Sequence, residues 1–154
     1  MEAGESNTLY YKRSHFVTRL PLRYLFSPSH YWLADQDGTW RIGLTKFATR
    51  MLGEMVDYGF DATVDSQVRL GQPIGWIEGF KAVSDIFCIV EGQFGRSNPE
   101  LSQNPELLDQ DCYVRGWLFE AKGKPDPQCL DVQGYKGLLD DTIDKLVEKQ
   151  QPAE

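Results

Sequence analysis

The stretch GQPIGWIEGFKAVSDIFCIVEG, residues 71–92, decides the fold. Its halves, IGWIEGF (74–80) and AVSDIFCIVEG (82–92), are rich in Ile, Val, Phe and Trp. They read as two apolar strands meeting near Lys81. Gly71 and Gly75 stand before the lysine, and Gly92 and Asn98 after it. Glycines placed this way point to tight turns and close strand approach, which a residue without Cβ tolerates best. The expected product is a hairpin whose tip presents Lys81. A lone lysine at a strand end is ordinarily a solvated surface residue; its glycine setting is what singles this one out.

The flanking segments extend the pattern. HYWLADQDGTWRIGL (30–44) reads as two strands around the turn Asp37-Gly38, a strong hairpin signal. Thr45 can cap a short helix in KFATRMLGEM, with Phe47, Met51 and Leu52 on its core face. Residues 55–70 read as irregular or weakly β. Asn98-Pro99 and Asn104-Pro105 each set a capping residue before a proline, which starts a helical turn. YVRGWLFEA (113–121) reads as a strand, and residues 138–149 as a helix with Leu139, Ile143 and Leu146 inward. Residues 10–25 read as an arm of mixed aromatic and basic residues, with Pro21 barring a helix. Many short strands, brief helices and one terminal helix make a mainly β protein.

Composition narrows the function. A chain of 154 residues with 41% hydrophobic and 25% charged residues is sized for one globular core. The net charge of −7 argues against nucleic acid, whose phosphates require a basic field. The charge is uneven: in residues 1–25, Lys12, Arg13, Arg19 and Arg23 outnumber Glu2 and Glu5. A basic arm on an acidic body can dock a partner or fold back on its own surface. No apolar run approaches the roughly 20 residues that span a bilayer, and the N-terminus lacks a secretory pattern. The expected location is the cytoplasm, with no membrane partner. Cys88, Cys112 and Cys129 show no metal-ligand spacing. Cys88, in IFCIV, reads as a buried core residue. Cys112 and Cys129 fall in more polar stretches, are expected to be more exposed, and are candidates for a redox role.

GQPIGWIEGFKAVSD resembles the lipoylation hairpin of the glycine-cleavage H-protein family. SHYWL followed by DGTWRIGLTKFATRMLGEMV resembles that family's His-x-Trp strand, glycine turn and helix. PELLDQDCYVRGWLFE resembles its Pro-Glu-Leu to Gly-Trp-Leu stretch. The resemblance runs from about residue 26 to about residue 147. It implies a barrel-sandwich hybrid, two small antiparallel sheets packed face to face, with short helices and a C-terminal helix. It divides the chain into an N-terminal arm (1–25) and a lipoyl-carrier domain (26–150). It implies lipoic acid attached covalently to Lys81 by a lipoate-attaching enzyme, and a carrier subunit rather than an enzyme. Biotinyl carriers share the fold, but their lysine usually sits between methionines, whereas Phe80 and Ala82 flank this one. Gly75 and Gly92 are the expected hairpin residues. Glu78 and Asp85, acidic in the family as well, are expected to be read by attaching or partner enzymes; solubility is the plainer reading of their charge. His30 also matches a family position and is expected to be packed or hydrogen bonded rather than catalytic.

The chain also departs from that family. Gly79-Phe80 stands where Ser-Val is usual, Cys88-Ile89 where Ser-Pro is usual, and Cys112 replaces a proline. DYGFDATVDSQV lacks the usual Val-x-Leu-Pro strand, and YYKRSHFVTRLP is an added feature. These changes resemble the lipoate-binding proteins of bacterial sulfur oxidation. That resemblance implies a heterodisulfide-reductase-like complex as partner and a sulfur-bound cargo. The basic arm and the cysteines would then serve the new partners. The alternatives are a glycine-cleavage carrier of the aminomethyl group, working with the glycine-cleavage enzymes, and an unmodified interaction module of the same fold.

Overall fold

The computed structural model describes residues 7–150. These described residues form three antiparallel sheets and three helices. β1 (Thr8–Arg13) and β2 (Phe16–Pro21) make a hairpin. β3 (Leu25–Phe26), β4 (Tyr31–Gln36) and β5 (Thr39–Leu44) lead into α1 (Lys46–Leu52). β6 (Met55–Phe60), β7 (Gln67–Val68), β8 (Pro73–Gly79), β9 (Val83–Phe87) and β10 (Val90–Ser97) follow. Then come α2 (Leu107–Gln110), β11 (Phe119–Pro125) and α3 (Val132–Gln150).

One sheet has the order β3-β4-β5-β11-β10-β7 and the other β6-β8-β9. Their apolar faces meet in one core that includes Leu33, Ile42, Phe94 and Phe119 from the larger sheet and Ile77 and Ile86 from the smaller. Alternation along β8 explains the arrangement: Ile77 is buried while Glu78 is exposed, the signature of a strand with one dry face. The fold is the expected mainly β, lipoyl-carrier-like sandwich with a C-terminal helix.

A second core lies outside the sandwich. α3 sends Val132, Tyr135, Leu139 and Ile143 against Tyr11 and Leu20 of the N-terminal hairpin, Phe26 of β3 and Phe47 of α1. The N-terminal segment is therefore a hairpin folded back on the body. Tyr11 and Leu20 point inward while Tyr10, Lys12 and Arg19 point outward, a period of two. Ser14, at φ 54°, takes the left-handed conformation of the turn. Arg13 holds Asp144 at 2.7 Å, and the Tyr11 hydroxyl donates to Asp140 at 2.7 Å.

Five expectations need correction. The strand expected at 113–121 begins only at Phe119, because the Arg115 and Trp117 carbonyls accept hydrogen bonds from Asn98 Nδ2 instead of joining a ladder. The last helix starts at Val132 rather than 138, since Asp131 Oδ1 accepts the Gly134 amide at its N-terminus. Met51 of α1 is 48% exposed; the core side of that short helix is taken by Phe47, Thr49 and Leu52. Cys112, expected in an exposed stretch, is buried, and its carbonyl accepts the Trp32 indole N–H at 2.8 Å. Residues 55–60, expected irregular or weakly β, form β6 as the edge of the smaller sheet.

Candidate functional site

The site is built at the end of the β8–β9 hairpin. β8 and β9 pair Trp76 with Asp85, Ile77 with Ser84 and Glu78 with Val83. The Gly79 amide donates to the Ala82 carbonyl at 2.8 Å, which closes the turn on Phe80 and Lys81. The two central amides are then used to fasten the turn to α1. Phe80 N–H donates to the Glu54 carbonyl at 3.0 Å and Lys81 N–H to the Leu52 carbonyl at 2.9 Å. Those carbonyls belong to the end of α1 and the link beyond it, where helix acceptors lack partners of their own. Close approach at Gly79 is what permits this docking: a Cβ there would run into the Leu52 carbonyl.

The backbone of Lys81 is thus fixed while its side chain stays exposed. Its Nζ donates to the Arg50 carbonyl at 3.3 Å. Phe80 and Val83 on either side are 76% and 69% exposed, so the amine stands in an apolar frame. Glu78 and Asp85 lie on the outer face of the smaller sheet, where Asp57 pairs with Glu78 in register.

Other expected residues lie elsewhere. Gly75 is within β8 of the hairpin but away from its tip, paired with Ile86 and packed against the Gly59 carbonyl. Gly92 is in β10 of the larger sheet, opposite Gly123 and against the Lys122 carbonyl, away from the tip. Its neighbour Glu91 accepts the Leu70 amide at 3.3 Å. Burial pushes the Cys112 thiol up to about 12 and the half-buried Cys129 thiol to about 11, so both stay protonated near neutrality. Cys88 is buried and its pKa is likewise raised by burial.

His30 lines a cleft of about 240 Å³ on the β9 side of the tip, together with Tyr31, Ala48, Met51, Ala82 and Asp85. Its Nδ1 is hydrogen bonded to the Tyr135 hydroxyl at 2.8 Å, and burial pulls its pKa down to about 4. The same hydroxyl is 2.8 Å from Thr45 Oγ1, which caps α1 by accepting from Ala48 N–H. α3 therefore holds the helix on which the tip rests. A second cleft, of about 400 Å³, opens on the other side of the tip toward α2. The sequence signalled neither cleft, because each is closed by residues distant along the chain. Among the described residues no group of three His, Cys, Asp or Glu is placed to hold a metal. Among the described residues no helix is long and apolar enough to cross a membrane.

Comparison with known proteins agrees with this geometry. The family model described as "Glycine cleavage H-protein" matches residues 23–140. The glycine cleavage system H protein of Kocuria rhizophila is 36% identical over 129 residues, covering 80% of this chain and 100% of the relative. That of Klebsiella pneumoniae is 33% identical, covering 81% of this chain and 99% of the relative. The crystal structure of a glycine cleavage system H protein from Mycobacterium marinum aligns with a TM-score of 0.69 at 27% identity, over 77% of this chain and 97% of that one. The hairpin β1–β2 lies outside the residues matched by the family model.

Proposed function

Since the chain belongs to the glycine cleavage H-protein family, we propose that it is a lipoyl carrier in which Lys81 bears lipoic acid in amide linkage. The observation that carries this reading is the exposed Lys81 amine at a turn whose two central amides are fastened to the end of α1. The residues present fit the group. An attaching enzyme needs a reachable amine on a backbone that does not give way, and the tip supplies both. When attached, lipoamide supplies a disulfide that opens to hold a cargo on sulfur.

The chain's own residues do the rest. The α1 carbonyls of Leu52 and Arg50 set the root of the arm. Glu78 and Asp85, with exposed Phe80 and Val83, offer a surface with an acidic and an apolar part to attaching and partner enzymes. The β9-side cleft has an apolar wall of Leu44, Phe47, Ala48 and Leu52 and polar groups on Ser29 and Asp85. A small loaded group can be shielded there from water. Such a chain is a carrier subunit, not a catalyst on its own.

For the cargo, the glycine-cleavage reading is favoured, with the aminomethyl group carried between the glycine-cleavage enzymes. The relatives' names point to it. Of the departures that suggested sulfur oxidation and a heterodisulfide-reductase-like complex, two serve the fold: the arm packs on α3, and Cys112 is buried. Incubation with a lipoate-attaching enzyme is expected to add one lipoyl mass to the intact protein and none to Lys81→Arg. An unmodified wild-type chain under conditions that lipoylate a control H protein would sink the carrier reading. The lipoylated chain is further expected to support glycine oxidation with the partner enzymes of a standard system. Failure there beside a working control H protein would return the sulfur cargo to first place.

A further inference from the structure

The lysine stem has a defined bed. Gly53, at the C-terminus of α1, has φ 78°, and a Cβ on it would stand 3.0 Å from Lys81 Cγ. The missing side chain leaves a furrow in which the stem lies, ending at the Arg50 carbonyl. Both Arg50 and Lys81 line the cleft of about 400 Å³ between α1 and α2, whereas the β9-side cleft does not include Lys81. The furrow therefore aims the stem at the α2 side. That cleft is large enough to matter for a small organic group. Met55 and Pro105 give it apolar surface, Leu108 is only 2% exposed, and Glu54, Glu106 and Asp109 add negative charge beside the polar Gln110 and Thr49.

We infer that this α1–α2 cleft is a resting seat for the distal, uncharged end of the acylated Lys81 side chain, a medium-length acyl chain ending in a disulfide ring. The inference rests on the lipoylation reading above. Acylation removes the lysine charge, and the secondary amide keeps one N–H that can still donate to the Arg50 carbonyl. The apolar chain then gains by leaving water for Met55 and Pro105. The chain thus has two clefts flanking one tip: the α2 side holds the idle arm, and the β9 side is left for its loaded form.

The test is a comparison of amide NMR spectra of the unmodified and lipoylated full chain, with lipoylation first verified by intact mass. Shifts are expected in residues 49–55 and 106–110, with through-space contacts from arm methylenes to the Met55 methyl and the Pro105 ring. Gln110→Trp, which fills the exposed rim of the cleft, is expected to abolish the 106–110 shifts. It should also speed reduction of the ring by a water-soluble phosphine several-fold. Ser84→Trp, on the rim of the opposite cleft, should leave both unchanged. Shifts confined to 79–83, or centred on 29–31 and 84–85, overturn the seat while leaving the carrier function standing. A chain that takes up no lipoate overturns both, and the mass spectrum tells the two failures apart.

Discussion

The Tyr135→Phe substitution tests how the site is held. Tyr135 is fully buried, and its hydroxyl is 2.8 Å from both His30 Nδ1 and Thr45 Oγ1. Phenylalanine keeps the ring, so the contact with Phe26 at 4.8 Å survives and no cavity forms. The change removes two hydrogen bonds, each worth about 0.5–1.5 kcal/mol net. It also leaves the hydroxyl of the fully buried Thr45 with only the long 3.4 Å bond from Ala48 N–H. The expected loss is about 2 kcal/mol, which for a domain of this length lowers Tm by roughly 4–8 °C. Urea unfolding followed by tryptophan fluorescence measures it. Thr45→Val removes the cap and the same bond, so the double variant should fall short of additivity by about 1 kcal/mol. A Tyr135→Phe loss below about 0.5 kcal/mol, or strict additivity, would refute the linkage of α3 to α1.

Further outcomes follow from the same geometry. His30 has a folded pKa of about 4, below the ordinary 6.5, so the unfolded chain binds its proton first. Its contribution is fully present above pH 6.5 and is lost as pH falls toward 4, by up to about 3 kcal/mol. Urea midpoints at pH 7 and pH 4.5 check this, and the slope should flatten in His30→Asn. Asp109 and Glu120, held low by Lys46 and by Arg96 with Arg41 against the opposing cost of burial, lose their contribution only below the ordinary carboxylate range. Cys88 and Cys112 should resist a thiol reagent in the folded protein and react on unfolding, with half-buried Cys129 intermediate; rapid modification of Cys112 in native buffer would contradict its burial. Charge reversal at Glu78 and Asp85, both exposed, should slow lipoylation without moving Tm, and an unchanged rate would remove them from the recognition surface. Arg13→Ala should loosen the β1–β2 hairpin, seen as faster amide exchange at Tyr10–Lys12, with the difference shrinking in high salt.

Much of the carrier was legible along the chain because its signals are local. The Asp37-Gly38 turn, the apolar runs on both sides of Lys81 and the Thr45 cap each act within about ten residues, and backbone sterics and turn chemistry decide them there. Their sum is a mainly β chain with one lysine at a bend. Only tertiary packing settled the rest. Residues 8–21 carry a period of two that an aromatic and basic composition obscured, and its dry face acquires meaning only once α3, more than a hundred residues on, covers Tyr11 and Leu20. Cys112 looks exposed among polar neighbours, yet the Trp32 indole, eighty positions away, reaches its carbonyl and the region closes over it. The two clefts beside the tip belong to this second class, since their walls come from α1, α2 and two sheets. Burial and cavity shape depend on contacts between segments remote in the chain, and those contacts leave no periodicity to read.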